Sequence, residues 1–577
     1  MSDIEIDVIG YLRTNLRDRY KDSYATLKEL VQNADDAGAT DLHITTYETL
    51  GDGFVHPLLQ GPCVSIVNNA PFSYNDAKAI HQAGVGSKGL TDDKIGKFGL
   101  GLKSVFHLCE AFFYCSSSTN EIAPAKVPDQ RRFERNGLLN PWKGRRYSHW
   151  RGLNKDDFAQ LRRLAKRRLS ELNSEVPDHW FAIFLPLRVP EHCIDSERDN
   201  PSALSAERQL EMAQRWALEP KFPGSANAKT EDRLDAPEHI AQIHTVLPLL
   251  TSLARITFAT CSMHSDVKTV LEAEINHQPQ SDRQNWRTMS SGSYTERGVI
   301  RLKKGSSQST DAAYAIAHIL SDRKDLSELR NRKDWPWMDA LHPIDGPMRE
   351  KSTGKQHAAV AITDSPGNGK LSIARAVFLP LAESRAQPFN PETTCGGDRD
   401  YRITLHGYCF VDAGRLGLDE PQIGAEPTAR QKWNEILFRE LVLPQVIPAL
   451  SVYRDQLADA PDRLDRQSRL IYGLQRALKD EFRQCVCRDH SCVFIVRGNN
   501  GGWEAVSVGI PIFAASEYSD DRGWCRKTLP AAMGQRRPVD QSLFEAIPRF
   551  KSSFTRSTHF AGWSTQARRG CEISLSD

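Results

Sequence analysis

The chain has 577 residues, 40% hydrophobic and 26% charged, a globular composition long enough for several buried cores and far from that of a disordered chain. Seventy-five Lys and Arg against 73 Asp and Glu leave a formal net charge of +2. No overall field therefore recruits nucleic acid or an anionic membrane, and any such role falls to a local patch. Twelve cysteines are too few for a disulfide scaffold, and Cys63, Cys109 and Cys409 sit in apolar runs, where a free thiol behaves as a small hydrophobe. The acidic start MSDIEIDVIGYLR lacks the basic and apolar regions of a secretory leader, and no run reaches the roughly 18 apolar residues of a membrane span. A cytoplasmic protein that makes no membrane contact is expected.

In chain order, Leu27, Leu30, Val31, Ala34 and Ala37 recur at three- and four-residue steps, which predicts an amphipathic helix over 24–37 with Gly38 as its stop signal. Asp41–Tyr47 and Cys63–Val67 read as short strands. Residues 76–113 read as a helix, a glycine-dense stretch (Gly84, Gly86, Gly89, Gly96, Gly99, Gly101) and a second apolar helix from near Leu102. Residues 126–168 hold 14 Lys and Arg against 4 Asp and Glu, interleaved with Phe133, Trp142, Tyr147, Trp150 and Phe158. Phe181–Leu187 reads as a buried strand, and 195–235 as a polar connection between domains. Beyond it the pattern predicts a helix over Ile243–Phe258, strands at Ala376–Leu381 and Tyr401–Val411, and a helix over Trp433–Tyr453. After 456 come a charged helix and β-like runs, and no internal repeat of 20–50 residues is apparent.

Glu29, Asn33 and Asp36, at i, i+4 and i+7, share one face of the first helix. Such a face offers a base for water and an oxygen ligand for Mg²⁺, although a solvated helix surface carries the same residues. Asn68, at the end of the strand in VSIVNNAPFS, can read a planar heterocycle edge through its donor and acceptor, or form an Asx turn. Gly96, Gly99 and Gly101, placed before a helix and preceded by Gly84-Val-Gly-Ser-Lys88, suit a phosphate cradle. GxGxxG is absent, and Gly367-Asn-Gly-Lys370 is followed by Leu371, so the P-loop pattern fails for want of Ser or Thr. Cys485, Cys487, His490 and Cys492 invite zinc but lack a second ligand pair, and two helix-end thiols with a surface histidine account for them as well. The run Arg162, Arg163, Lys166, Arg167, Arg168 suits phosphate contacts with nucleic acid, or a solvated helix.

Taken together, LKELVQNADDAGAT (Leu27–Thr40) and IGKFGLGLKSVFH (Ile95–His107) resemble the GHKL ATPase domain, and within it the sacsin-type branch of the ninety-kilodalton heat-shock chaperone ATPases. Looser similarity runs through Phe181–Arg188, Val377–Leu381, His406–Arg415 and Trp433–Leu437, so that it spans roughly residues 10–455. The resemblance implies an α/β and α+β multidomain protein: a Bergerat two-layer α/β sandwich over 1–195, a sacsin-repeat-like middle domain over 196–455, and a C-terminal module of unknown role over 456–577. It implies a slow ATPase with ATP and Mg²⁺ as cofactors. Glu29 would be the general base, Asn33 the Mg²⁺ ligand, and Asp36 a support on the nucleotide side. Asn68 would replace the aspartate that accepts from the adenine amino group in most of the class. Lys88 and Lys97 would be phosphate counter-charges, and Gly96, Phe98, Gly99, Leu100 and Gly101 would line the phosphates, with 84–97 as lid. A basic residue from the following domain would complete the site, Arg188, Arg375 and Arg415 being candidates. A client or effector protein and a homodimer are the implied partners. The alternative is a nucleic-acid-associated GHKL clamp, serving in bacterial defence against foreign DNA through 126–168.

Overall fold

The computed structural model describes residues 23–81, 101–117, 136–140, 154–189, 243–276, 291–342, 346–380, 392–411 and 417–478, with breaks of a few residues, and the short strands at 494–497, 503–506, 512–514 and 537–539. The first helix, α1 (Ser23–Asp36), buries Leu27, Leu30, Val31 and Ala34. Gly38 ends it with φ +84°, a left-handed conformation open to glycine; its N–H donates to the Asp35 carbonyl at 2.9 Å, and that of Ala39 to the Ala34 carbonyl at 3.0 Å. Next come β1 (Asp41–Tyr47) and β2 (Cys63–Asn68), antiparallel, with Leu42 opposite Asn68. These three elements fall where the periodicity places them, and α2 (Tyr74–Ile80) opens on a Ser73–Asp76 capping box.

The second apolar helix expected from Leu102 is instead a 3-10 turn, Gly101–His107, followed by β3 (Phe112–Ser116). Consecutive aromatics at 112–114 fit a strand buried on both faces, which leaves the preceding chain room for only a short turn. Then come β4 (Asn136–Leu139), α3 (Lys155–Asn173) and β5 (Phe181–Pro186). Alternation along these strands sorts the core. Leu42, Ile44, Val64, Ile66, Phe112, Ile183 and Leu185 pack with α1 on one face. Cys63, Val67, Phe113, Cys115, Ala182 and Phe184 pack with Leu161, Ala165 and Leu169 of α3 on the other. Helices thus cover both faces here, where two layers are expected from the sequence.

The Ile243–Phe258 helix is cut short: Ile243 and Val246 are helical, but a 3-10 turn at Leu247–Leu249, around Pro248, gives way to β6 (Arg255–Cys261). Ile256, Thr257 and Thr260 favour extended chain, and proline stops a helix from running through. Paired in parallel with β1 from Asp41–Arg255 to Tyr47–Cys261, β6 carries the sheet across the boundary expected at 195/196. The sheet continues through β7 (Lys268–Asn276), β8 (Gly292–Lys304) and β9 (Thr310–Leu320). After α4 (Lys324–Leu329) and a separate hairpin, β10 (Trp337–His342) with β11 (Gly346–Lys351), come β12 (His357–Pro366), β13 (Lys370–Val377), β14 (Leu379–Pro380), β15 (Glu392–Thr394) and β16 (Arg399–Gly407). The resulting 14-stranded sheet runs β14-β13-β16-β12-β9-β8-β7-β6-β1-β2-β5-β3-β4, with β15 on β13.

Helical chain from Ala429 to Gln456, close to the predicted 433–453, comprises α5 (Ala429–Leu437), a π turn, a 3-10 turn at Pro444 and α6 (Val446–Gln456). Among the described residues it is the one helical stretch long and apolar enough to cross a bilayer, but Trp433, Leu437, Val442, Ile447, Leu450 and Tyr453 are spent on the core against β9, β12 and β16. The charged helix expected beyond 456 is α7 (Arg463–Leu478), whose Leu470, Ile471 and Leu474 enter that same core, so the fold of the middle region extends past residue 455. The strands β17 (Phe494–Arg497), β18 (Trp503–Val506), β19 (Ile512–Ala514) and β20 (Arg537–Val539) form a four-stranded sheet.

Asp364 fastens α7 to this region. Fully buried on β12, it accepts from Arg399 Nε at 2.5 Å, from Arg466 Nε at 2.8 Å and from the Tyr453 hydroxyl. Removing one member of such a cluster strands the others without compensation. Asp364→Ala is expected to cost about 3–5 kcal/mol in chemical denaturation and to raise amide exchange in α7 first; unchanged exchange there would count against this joint.

Candidate functional site

Three polar side chains line the α1 face singled out from the sequence: Glu29 and Asp36 are buried and Asn33 is half-buried. Asn68, opposite Leu42, shares the α1 side of the sheet and lies at the end where α1 turns into β1. Its Oδ1 accepts from the Ala70 N–H at 3.0 Å, the Asx turn, which leaves a second lone pair and the amide N–H₂ for other use. Asn69 fixes that corner: its Oδ1 accepts from the N–H groups of Thr40 (2.9 Å) and Asp41 (3.0 Å), and its Nδ2 donates to Thr40 Oγ1 and Asp41 Oδ2. The 3-10 turn that begins at Gly101 packs against α1. Glu29, Asn33, Asp36 and Asn68 are therefore gathered on one side of the sheet, with Gly101 opening the turn beside α1. Lys88, Gly96, Lys97, Phe98, Gly99 and Leu100 lie outside the described residues, as do Arg415 and the zinc candidates Cys485, Cys487, His490 and Cys492.

Arg188 does not serve as a mobile cation. It is buried and paired with Glu110, and its Nη2 donates to the carbonyls of Phe106 (2.7 Å) and Cys109 (3.0 Å), so it caps the end of the 3-10 turn. Arg375 pairs with Glu420 at 2.6 Å and lies over the Phe438 ring. In the basic helix α3, Arg162 donates to Asn136 Oδ1 and stacks on Trp180, and Arg168 is buried; Arg163, Lys166 and Arg167 stay exposed, with Arg167 bound to Glu171 at 2.8 Å. Two of the four arginines proposed for a nucleic-acid contact thus face the interior. The Gly367–Lys370 loop joins β12 to β13, and the Asp400 carboxylate accepts from the N–H groups of Asn368 (2.8 Å) and Lys370 (2.9 Å), where a P-loop would hold phosphate. Cys63, Cys109 and Cys409 are buried free thiols, and burial pushes Cys109 and Cys409 up to about 12, which keeps them unreactive.

Two residues escape sequence reasoning. Asp35, next to Asp36, turns the other way: its Oδ1 accepts from the N–H groups of Thr251 (2.9 Å), Ser252 (2.7 Å) and Leu253 (2.9 Å), tying α1 to the chain that enters β6. The doubled acid in NADDAG was its only signal. Lys103, on the 3-10 turn, is buried and donates to the Ile80 carbonyl at the end of α2; its place in the apolar run GLKSVF was the clue.

The comparisons with known proteins fit the density of motifs near the N-terminus. Residues 7–188 match the family model described as the Sacsin domain. Human sacsin (Homo sapiens) is 38% identical over 109 residues, 18% of this chain and 2% of that protein. The fold is mixed α/β, and the similarity to the Sacsin domain is confined to residues 7–188. A solved structure titled the N-terminal domain of a DNA repair protein aligns over 78% of this chain and 99% of its own, at 10% identity and a TM-score of 0.28, too distant to bear on fold or function.

Burial holds the Lys103 ammonium at about 7 against its ordinary 10.5. Between these values the unfolded chain binds the extra proton, so stability from this group is lowest below pH 7 and rises until about pH 10.5. Lys103→Met should therefore gain most over wild type near pH 6, with the gain shrinking toward pH 10 in denaturation curves. A pH-independent difference would contradict the assignment.

Proposed function

We propose that the N-terminal region binds Mg-ATP and hydrolyses it slowly, as a Bergerat-type site of the GHKL class. The observation that carries this reading is the placement of Glu29, Asn33 and Asp36 on the α1 face together with Asn68 on the same side of the sheet. In this reading Glu29 polarises the attacking water, Asp36 and Asn68 meet the nucleoside, and the turn beginning at Gly101 offers N–H groups toward phosphate. Mg²⁺ is commonly held by one or two protein oxygens together with phosphates and waters, so Asn33 Oδ1 suffices as its protein ligand. The described residues hold no cluster of three His, Cys, Asp or Glu suited to a metal ion.

Asp35 and Asp36 give this site a route to the rest of the chain. One carboxylate faces the proposed nucleotide and its neighbour grips 251–253 at the entry to β6, so a small rotation of α1 is felt by the strand that continues the sheet. On that basis the protein is a chaperone-like conformational ATPase, with a client or effector protein as the responding partner.

Calorimetry with ATP, with and without magnesium, tests the reading. Wild type should bind only when ATP is supplied with Mg²⁺, Asn33→Ala should lose the magnesium dependence, and Glu29→Ala should bind normally while turnover falls about 10²- to 10⁴-fold. Failure of wild type to bind adenine nucleotide under either condition would overturn it.

A further inference from the structure

On the α3 side of the sheet, opposite the proposed nucleotide site, the strands carry a buried polar strip. His43, Thr45 and Tyr47 alternate onto that side of β1; Ser65 of β2 stands across from Thr45, and Thr257 of β6 stands beside His43. All five are buried, and the His43 Nδ1 to Thr257 Oγ1 contact is 2.6 Å. Buried polar atoms are nearly always paired. Here, among the described residues, His43 Nε2, Thr45 Oγ1 and Ser65 Oγ are not.

Arg168 enters the same layer from α3. Only 3% exposed, it has Nη1 at 3.6 Å from Glu171 Oε2, while Nε and Nη2 have no hydrogen-bond partner among the described residues. Those two nitrogens form one edge of the guanidinium, a pair of parallel N–H donors spaced for two oxygens of one carboxylate or phosphate. The helix α3 packs on β2 and β3, which puts the buried Arg168 on the side of the sheet that carries the strip, and its charge is felt at both His43 and Tyr47. Burial, with Arg168 and Arg255 adding to it, holds His43 well below its ordinary value, so the imidazole is neutral; in the tautomer whose Nδ1 accepts from Thr257, Nε2 carries the proton and can donate. Glu171 and the half-buried Glu272, across from Thr257 on β7, offset part of the Arg168 charge and favour an occupant with a single negative charge.

We propose that a small, singly charged oxyanion, inorganic phosphate or a carboxylate, binds between α3 and the β1–β2–β6 strip, held on the Nε and Nη2 edge of Arg168 with His43, Thr45 and Ser65 as further donors. The site is separate from the nucleotide pocket and does not depend on ATP binding.

Thermal melting and calorimetric titration of the full chain at pH 6 and constant ionic strength, with inorganic phosphate and acetate in separate arms, test it. One arm should raise the melting temperature saturably with one site per chain, and which arm does so identifies the oxyanion. Arg168→Lys should weaken that binding at least tenfold and Thr45→Val several-fold, while Asn33→Ala should leave it intact, setting it apart from phosphate captured at the nucleotide pocket. If Arg168→Lys does not fold, Thr45→Val and Ser65→Ala report the same loss. No response to either anion, or a response untouched by these variants but abolished by Asn33→Ala, would overturn the proposal.

Discussion

The grip of Asp35 on three successive backbone N–H groups is the constraint on which the architecture turns. Parallel pairing of β1 with β6 joins segments more than 200 positions apart, and closing so long a stretch of chain must be offset by contacts made where the two segments meet. A carboxylate that accepts from Thr251, Ser252 and Leu253 concentrates charge-assisted bonds at that point. Two residues later, the Thr40 carbonyl takes the N–H groups of Ala254 and Arg255, and Arg255 returns a bond to Asp41 at 2.6 Å. The register of β6 is set before its first paired residue.

The same few residues organise the other neighbour of β1. Asn69 binds Thr40 and Asp41 from β2, so residues 35–41 are the place where α1, β1, β2 and β6 are referred to one another. Glycine at 38 allows the sharp turn that brings Asp35 to residues 251–253 and Thr40 to Asn69. A polar cluster that settles the fold at this corner also leaves Asp36 and Asn68 buried on the α1 side, so the residues proposed for the site and those that set the fold overlap there.

That overlap explains what could be read without coordinates. The apolar steps of α1, the stop at Gly38 and the strands at 41–47 and 63–68 rest on local periodicity and turn chemistry, and they were legible. The strand at Arg255–Cys261 was not: an apolar run fits either a buried helix or a buried strand, and its strand character depends on β1 as a neighbour. The 3-10 turn after Gly101 is another case, where packing of Phe112 and Phe113 onto opposite faces shortened an expected helix. For the site, the α1 face followed from spacing alone. Arg188 was misread because its true partners, Glu110 and the carbonyls of 106 and 109, lie about 80 positions away.

Arg188 and Lys103 share a logic. Each is a buried cation placed against backbone carbonyls at an element end, Arg188 beneath the 3-10 turn and Lys103 at the close of α2. Glu110 neutralises the former; among the described residues the latter has no carboxylate beside it, and burial lowers its proton affinity instead. Because Lys103 ties the turn to Ile80, the chain leaves α2 and re-enters at Gly101 from two points held together, whatever path residues 82–100 take between them. A displacement of the turn at Gly101 would then act on α1, against which the turn packs, and through Asp35 on β6. Communication across this sheet, from the turn at Gly101 to β6, requires only that α1 be the stiff element both sides hold.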